Sequence, residues 1–118
     1  MIISDPKMAR KMSKALKIGG NLFDLDDIQE HLKNGRMQGH TVGDTWAITQ
    51  VHEWPHKKTV NILYVVGYIE ESLELESKIT AWAKEIGADR VTAVGRDGWW
   101  EHRLPGWKKV GVMYSKEL

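Results

Sequence analysis

The chain has no cysteine. That excludes disulfides, thiolate metal sites and a cysteine nucleophile, and it suits a reducing cytoplasm. Proline is scarce, at three residues, and phenylalanine occurs once. Neither charge sign dominates: 17 basic and 16 acidic residues leave a net charge of +1. A chain so balanced is no polyelectrolyte, so binding of nucleic acid by the whole surface is not favoured. Long apolar runs are missing too. The longest, Ile62 to Gly67, is far too short to span a bilayer, so no membrane partner is expected. The opening Met-Ile-Ile-Ser-Asp-Pro holds no apolar stretch of signal-peptide length.

What is present fits a globular α+β protein. With 118 residues, 42% hydrophobic and 28% charged, the chain reads as a single domain with a core of its own. Six tryptophans are unusual at this length and must shape a core, an interface or both.

Element signals run the length of the chain. Asp5 to Lys17 reads as a helix, with Pro6 at its first turn and Gly19-Gly20 as its stop. It carries Lys7, Arg10, Lys11, Lys14 and Lys17 against a thin stripe of Met8, Met12, Ala15 and Leu16. We therefore expect residues 1–20 to form a peripheral basic helix on a core of residues 21–118. Its basic face is either solvated or turned to an acidic partner. Asp24 caps a second helix, Leu25 to Asn34, with Leu25, Ile28 and Leu32 facing inward. Three strands follow: Arg36 to Val42, Thr45 to Glu53 and Thr59 to Gly67. The third is apolar on both faces, which places it inside the sheet. Glu71 to Ile86 is an amphipathic helix, and Arg90 to Val94 a short strand. Strand, helix and strand in that order make a crossover, so the strands at 59–67 and 90–94 should be parallel neighbours. A short tryptophan-rich helix and a closing strand, Trp107 to Tyr114, complete the order.

Three local patterns bear on chemistry. His52-Glu53-Trp54-Pro55-His56 matches the H-E-x-x-H spelling of zinc proteases. That chemistry needs both histidines one helical turn apart, and Pro55 breaks such a helix. Along a strand the two would stand roughly 13 Å apart, so no metal is expected. The junction Gly67-Tyr68-Ile69-Glu70-Glu71 lies where a phosphate can meet free backbone N–H groups. Two carboxylates at that helix start oppose an anion, and the junction reads as a plain strand–helix turn. Finally, Arg96, Trp99, Trp100, Arg103 and Trp107, with Lys108 and Lys109, interleave aromatics with cations. The pattern suits packing on the sheet, a protein interface anchored by Trp and Arg, or stacking on bases.

The element order and the C-terminal motif resemble the GNAT (Gcn5-related N-acetyltransferase) fold. Val91-Thr-Ala-Val94 matches its second parallel strand, Arg96 falls near a family asparagine, and Gly106-Trp107 falls at a Gly-Phe position. The chain is similar, more closely, to small GNAT-like proteins of tailed bacteriophages, through Leu63-Tyr-Val-Val-Gly67, Trp82-Ala-Lys84, Ala88-Asp-Arg-Val91 and Gly95-Arg-Asp-Gly-Trp99. The resemblance implies one mixed sheet, an antiparallel meander plus a parallel pair, flanked by helices. Acetyltransferases of the family grip the coenzyme A diphosphate with an Arg/Gln-x-x-Gly-x-Gly/Ala loop. Gly67-Tyr-Ile-Glu-Glu-Ser72 stands in its place.

The expectation that follows is a non-catalytic bacteriophage component of the virion or its assembly, with no cofactor. It would reside in the host cytoplasm or the particle and bind portal, capsid or tail proteins, or itself. Arg96, Trp99, Trp100, Arg103 and Trp107 would form its contact surface. The alternative is a small N-acetyltransferase using acetyl-CoA. There Val65, Val66, Gly67 and Tyr68 would hold the pantetheine arm through backbone groups, and Tyr114 is the tyrosine left as a general acid. A nucleic-acid-binding accessory protein is the third reading.

Overall fold

In the computed structural model, residues 5–95 and 99–118 are described. Helix α1 (Pro6–Ile18) starts at Asp5, whose carboxylate accepts the Lys7 N–H at 3.0 Å. Helix α2 (Leu25–Lys33) starts with a reciprocal capping box between Asp24 and Asp27. Strands β1 (Gln38–Val42), β2 (Thr45–Glu53) and β3 (Lys58–Val66) form an antiparallel meander. Helix α3 (Ile69–Glu85) crosses over to β4 (Arg90–Ala93), which pairs parallel to β3. A short helix, α4 (Trp99–Arg103), follows. The sheet order is β1-β2-β3-β4, so β3 lies inside the sheet. The α+β class, with a mixed sheet flanked by helices, is as expected.

The sheet separates two cores. On one face, α1 and α2 bury Met12, Ile28 and Met37 against Ile48, Tyr64 and Val66. On the other, α3 buries Leu75, Ile79 and Ala83 against Ala47, Val60 and Ile62.

Three expectations need correction. Helix α1 is not peripheral: Met8, Met12 and Leu16 are buried. Their spacing of four puts them on one stripe, and unbranched methionines reach deep into the gap over the sheet. β1 starts two residues later than expected, because the Arg36 and Met37 N–H groups both donate to the His31 carbonyl and close off α2. The closing strand over Trp107–Tyr114 does not form: residues 107–118 hold no regular structure. Gly106, at φ +84°, turns the chain, and the Trp107 indole is tied to α3 instead.

One irregularity positions everything that follows. Ile48 pairs with Tyr64, but Thr49 pairs with Ile62, so Leu63 is an extra residue in β3. Such a bulge reverses the side-chain alternation beyond it. Val60 and Ile62 face α3, whereas Tyr64 and Val66 face α1 and α2. Val65 therefore turns to the α3 side, where it is 38% exposed although β3 is an interior strand.

Candidate functional site

The parallel pair is clamped at its beginning. Lys58 and Asp89 exchange two hydrogen bonds of 2.8 Å, and Lys58 Nζ donates to the Ile86 carbonyl at 2.7 Å. Arg90 Nε bonds Thr59 Oγ1 at 3.1 Å, and Thr92 Oγ1 bonds Asn61 at 3.0 Å. Pairing then stops at Ile62–Ala93, immediately before the bulge. β3 continues through Val66, while β4 ends. Beyond Ile62, the edge of β3 that faced β4 has no strand partner among the described residues. Backbone N–H and C=O groups left this way demand a hydrogen-bonding partner.

This splay opens on a cavity of about 50 Å³. Its floor is Ala47, Ile62 and Val65, and one wall is Ser72, Leu75, Glu76 and Ile79 of α3. Trp100 of α4 and Leu104, just past that helix, cover it. The cover is fastened: Trp107 packs on Trp100 with ring centroids 4.6 Å apart, and its Nε1 donates to Glu76 Oε1 at 3.0 Å. Thr80 Oγ1 donates to the same oxygen at 2.9 Å. Gly95 admits the cover, since any Cβ there would collide with the Trp100 indole.

The side chain of the cap residue of α3, Tyr68, makes no capping hydrogen bond. Buried Thr45 supplies the function from β2. Its Oγ1 accepts the Tyr68 N–H at 2.8 Å and donates to Glu71 Oε1 at 2.9 Å. The Glu71 carboxylate also fills the space over Gly43 in the β1–β2 turn. Glu71 is thus tied to the hairpin. Helix α1 reaches the same corner, with Lys11 Nζ 4.8 Å above the Tyr68 ring. Lys7, Lys11, Asp5 and Asp44 surround Tyr68 there, mixing both signs of charge.

The expected residues separate accordingly. Val65 lines the groove; Val66 is buried on the opposite face. Gly67 has φ +137° and lies against Thr45, where no Cβ fits. The Tyr68 N–H is already taken by Thr45. Of the aromatic-cationic set, Trp100 and Trp107 turn inward over the groove, and Arg103 is exposed. Trp99 begins α4. Arg96 lies outside the described residues. Tyr114 stands 90% exposed in the C-terminal segment and reaches no groove. His52 ends up on β2 and His56 in the following turn, with their segment closed by a Trp54 N–H to Lys57 carbonyl bond of 2.8 Å. They share no helical face.

Among the described ionisable groups, His40 departs from its ordinary range. Burial pushes its pKa down, and nearby Lys78 adds to the effect. Its Nε2 lies 2.9 Å from Thr49 Oγ1, and its ring meets Trp82 edge-on. It faces α3 but does not line the groove.

Sequence reasoning gave no role to Thr45, to Glu76 or to a bulge at Leu63, and it read Glu71 only as a charge opposing an anion.

No protein-family model and no curated protein matches this chain. Solved structures do. A probable acetyltransferase superimposes with a TM-score of 0.67 at 12% identity, covering 95% of this chain and 89% of the other. A tetramutant of the BH1408 protein from Bacillus halodurans gives 0.67 at 12%, covering 100% and 97%. The ribosomal-protein-alanine N-acetyltransferase of Brucella melitensis biovar Abortus 2308 gives 0.50 at 11%, covering 92% and 94%. The chain has a GNAT-like fold. These neighbours, two of them named acetyltransferases, stand against the expectation of a non-catalytic bacteriophage component.

Proposed function

We propose that this protein is an N-acetyltransferase that takes acetyl-CoA into the splay between β3 and β4. The observation that carries the reading is the bulge at Leu63, which lies just past the last β3–β4 pair, Ile62–Ala93, and turns Val65 into an apolar groove. An extended chain bearing amides, such as the pantetheine arm, satisfies a free strand edge as a neighbouring strand would. The groove's apolar floor suits the thioester end. An acceptor amine attacks the thioester carbonyl carbon; the C–S bond breaks, and the sulfur leaves as the free thiol of coenzyme A. The proton it takes up balances the one lost by the amine.

The departure at residues 67–72 falls at the diphosphate end of this path. Glu70 and Glu71 occupy the first turn of α3, where a diphosphate would meet like charge. In this reading the arm and thioester supply the binding, and the diphosphate adds little.

Thermal unfolding with added ligand tests both parts. Saturating acetyl-CoA raises the melting temperature, by the equivalent of about 2.7 kcal/mol at a hundredfold excess over Kd. S-acetyl-pantetheine, which lacks the diphosphate, produces a similar rise at similar concentration. Val65→Phe fills the groove, stays folded because the position is already part-exposed, and abolishes both shifts. No shift with millimolar acetyl-CoA would sink the proposal. A shift with acetyl-CoA but none with S-acetyl-pantetheine would return the binding energy to the α3 start.

A further inference from the structure

Helix α1 sorts its side chains by charge. Met8, Met12 and Leu16 are buried against the sheet, while Lys7, Arg10, Lys14 and Lys17 are exposed. At 3.6 residues per turn these cations fall within an arc of roughly 80°, opposite the buried stripe, and form a row about 15 Å long. The helix has no carboxylate of its own between Pro6 and Ile18. Among the described residues, Lys7, Arg10, Lys14 and Lys17 form no ion pair. Lys11, the remaining cation, is engaged with the Tyr68 ring. At the C-terminal end of the row two aliphatic side chains stand in water: Ile18 is 78% exposed and Leu22 72%. Helix α2 packs on the same face of the sheet and presents the opposite sign, with Asp26, Asp27 and Glu30 exposed.

We propose that the exposed ridge of α1 docks a narrow acidic polypeptide segment with an apolar residue at one end. Each part of the face argues for that chemistry. A row of unneutralised cations calls for a run of carboxylates, and an extended segment of about five residues covers its length. Ile18 and Leu22 gain nothing from carboxylates or phosphates; they call for an apolar side chain beyond the acidic run. The partner is narrow because of α2. A bilayer or a nucleic-acid duplex broad enough to lie on α1 also meets Asp26, Asp27 and Glu30, where like charge opposes it. A single strand of nucleic acid fits the width, but α1 has no aromatic side chain on which its bases could stack. The ridge and the groove lie on opposite faces of the sheet, so the proposal does not rest on the acetyltransferase reading.

Fluorescence anisotropy of a labelled peptide, about six glutamates followed by a pair of leucines, gives the affinity. The expected result is saturable binding that weakens at least about tenfold between about 50 and 500 mM salt. Arg10→Glu with Lys14→Glu reverses the middle of the row at exposed positions and lowers affinity at least about tenfold. That variant melts as wild type does and responds to acetyl-CoA in the same way, which separates this test from that of the groove. Ile18→Ser with Leu22→Ser, or a peptide lacking the leucines, binds about threefold to tenfold more weakly. No binding at about 1 mM peptide in low salt overturns the proposal. So does an affinity indifferent to the charge reversal, which would put the contact elsewhere. Equal affinity with and without the leucines removes the apolar end and overturns it as well. Vesicles rich in anionic phospholipid and a single-stranded oligonucleotide are the competing ligands, and tighter binding of either than of the peptide overturns the proposal in that ligand's favour.

Discussion

Thr45→Val removes one hydroxyl from a fully buried site and keeps the shape of the side chain. The structure says what is lost. The Tyr68 N–H loses its acceptor, and Glu71 Oε1 loses its donor. A net hydrogen bond to a buried amide is worth about 1 kcal/mol, and one to a carboxylate about 1.5–3. Glu71 is half-buried and recovers some hydration, so we expect a total loss near 2–3 kcal/mol. For a chain of this size that lowers the melting temperature by roughly 6–15 °C. Thr45→Ser keeps the hydroxyl and gives up one methyl, about 1 kcal/mol. Urea denaturation of Thr45→Val, Glu71→Ala and the double variant separates the pair from its surroundings. Contact between the two side chains predicts a coupling of roughly 0.5–3 kcal/mol. If Thr45→Val lies within about 0.5 kcal/mol of wild type, or the coupling vanishes, the account of how α3 begins is wrong.

Other perturbations probe other joints of the molecule. His40 is held neutral by burial, so its pKa in the folded state lies below the unfolded value. Stability is then full above the unfolded pKa of about 6.5 and falls as pH drops from there toward the folded pKa, because the unfolded chain takes up the proton first. Comparing the slope of unfolding free energy between pH 7 and 5 in wild type and His40→Asn isolates the effect; equal slopes would refute it. Trp107→Phe keeps the tilted ring contact with Trp100 but loses the bond to Glu76, which should destabilise by about 1–2 kcal/mol in urea melts and loosen the groove cover. Met12→Ala leaves a cavity under α1 and should lose about 2–5 kcal/mol by the same measure; a loss below 1 would mean that α1 is peripheral after all.

How much of this was legible depends on whether each feature is local. The crossover was readable because a 17-residue helix between two β-rich segments admits few arrangements other than a parallel pair. The cap at Asp24 was readable because the capping side chain lies within three residues of its target. Thr45 was not, since it caps a helix 23 residues away. The strand character of residues 107–114 was read from composition, yet strandhood needs a partner, and composition does not say where that partner is. The bulge was hidden for a different reason. Ile62-Leu-Tyr-Val-Val66 is apolar throughout, so reversing its faces leaves no polar residue on the wrong side to mark the change. That same uniformity is what allows the bulge to exist, because either face of β3 can be buried after the reversal. The feature that opens the groove is therefore one that only three-dimensional pairing reveals. An interior strand with apolar residues on both faces should be searched for a bulge before it is assigned to structure alone.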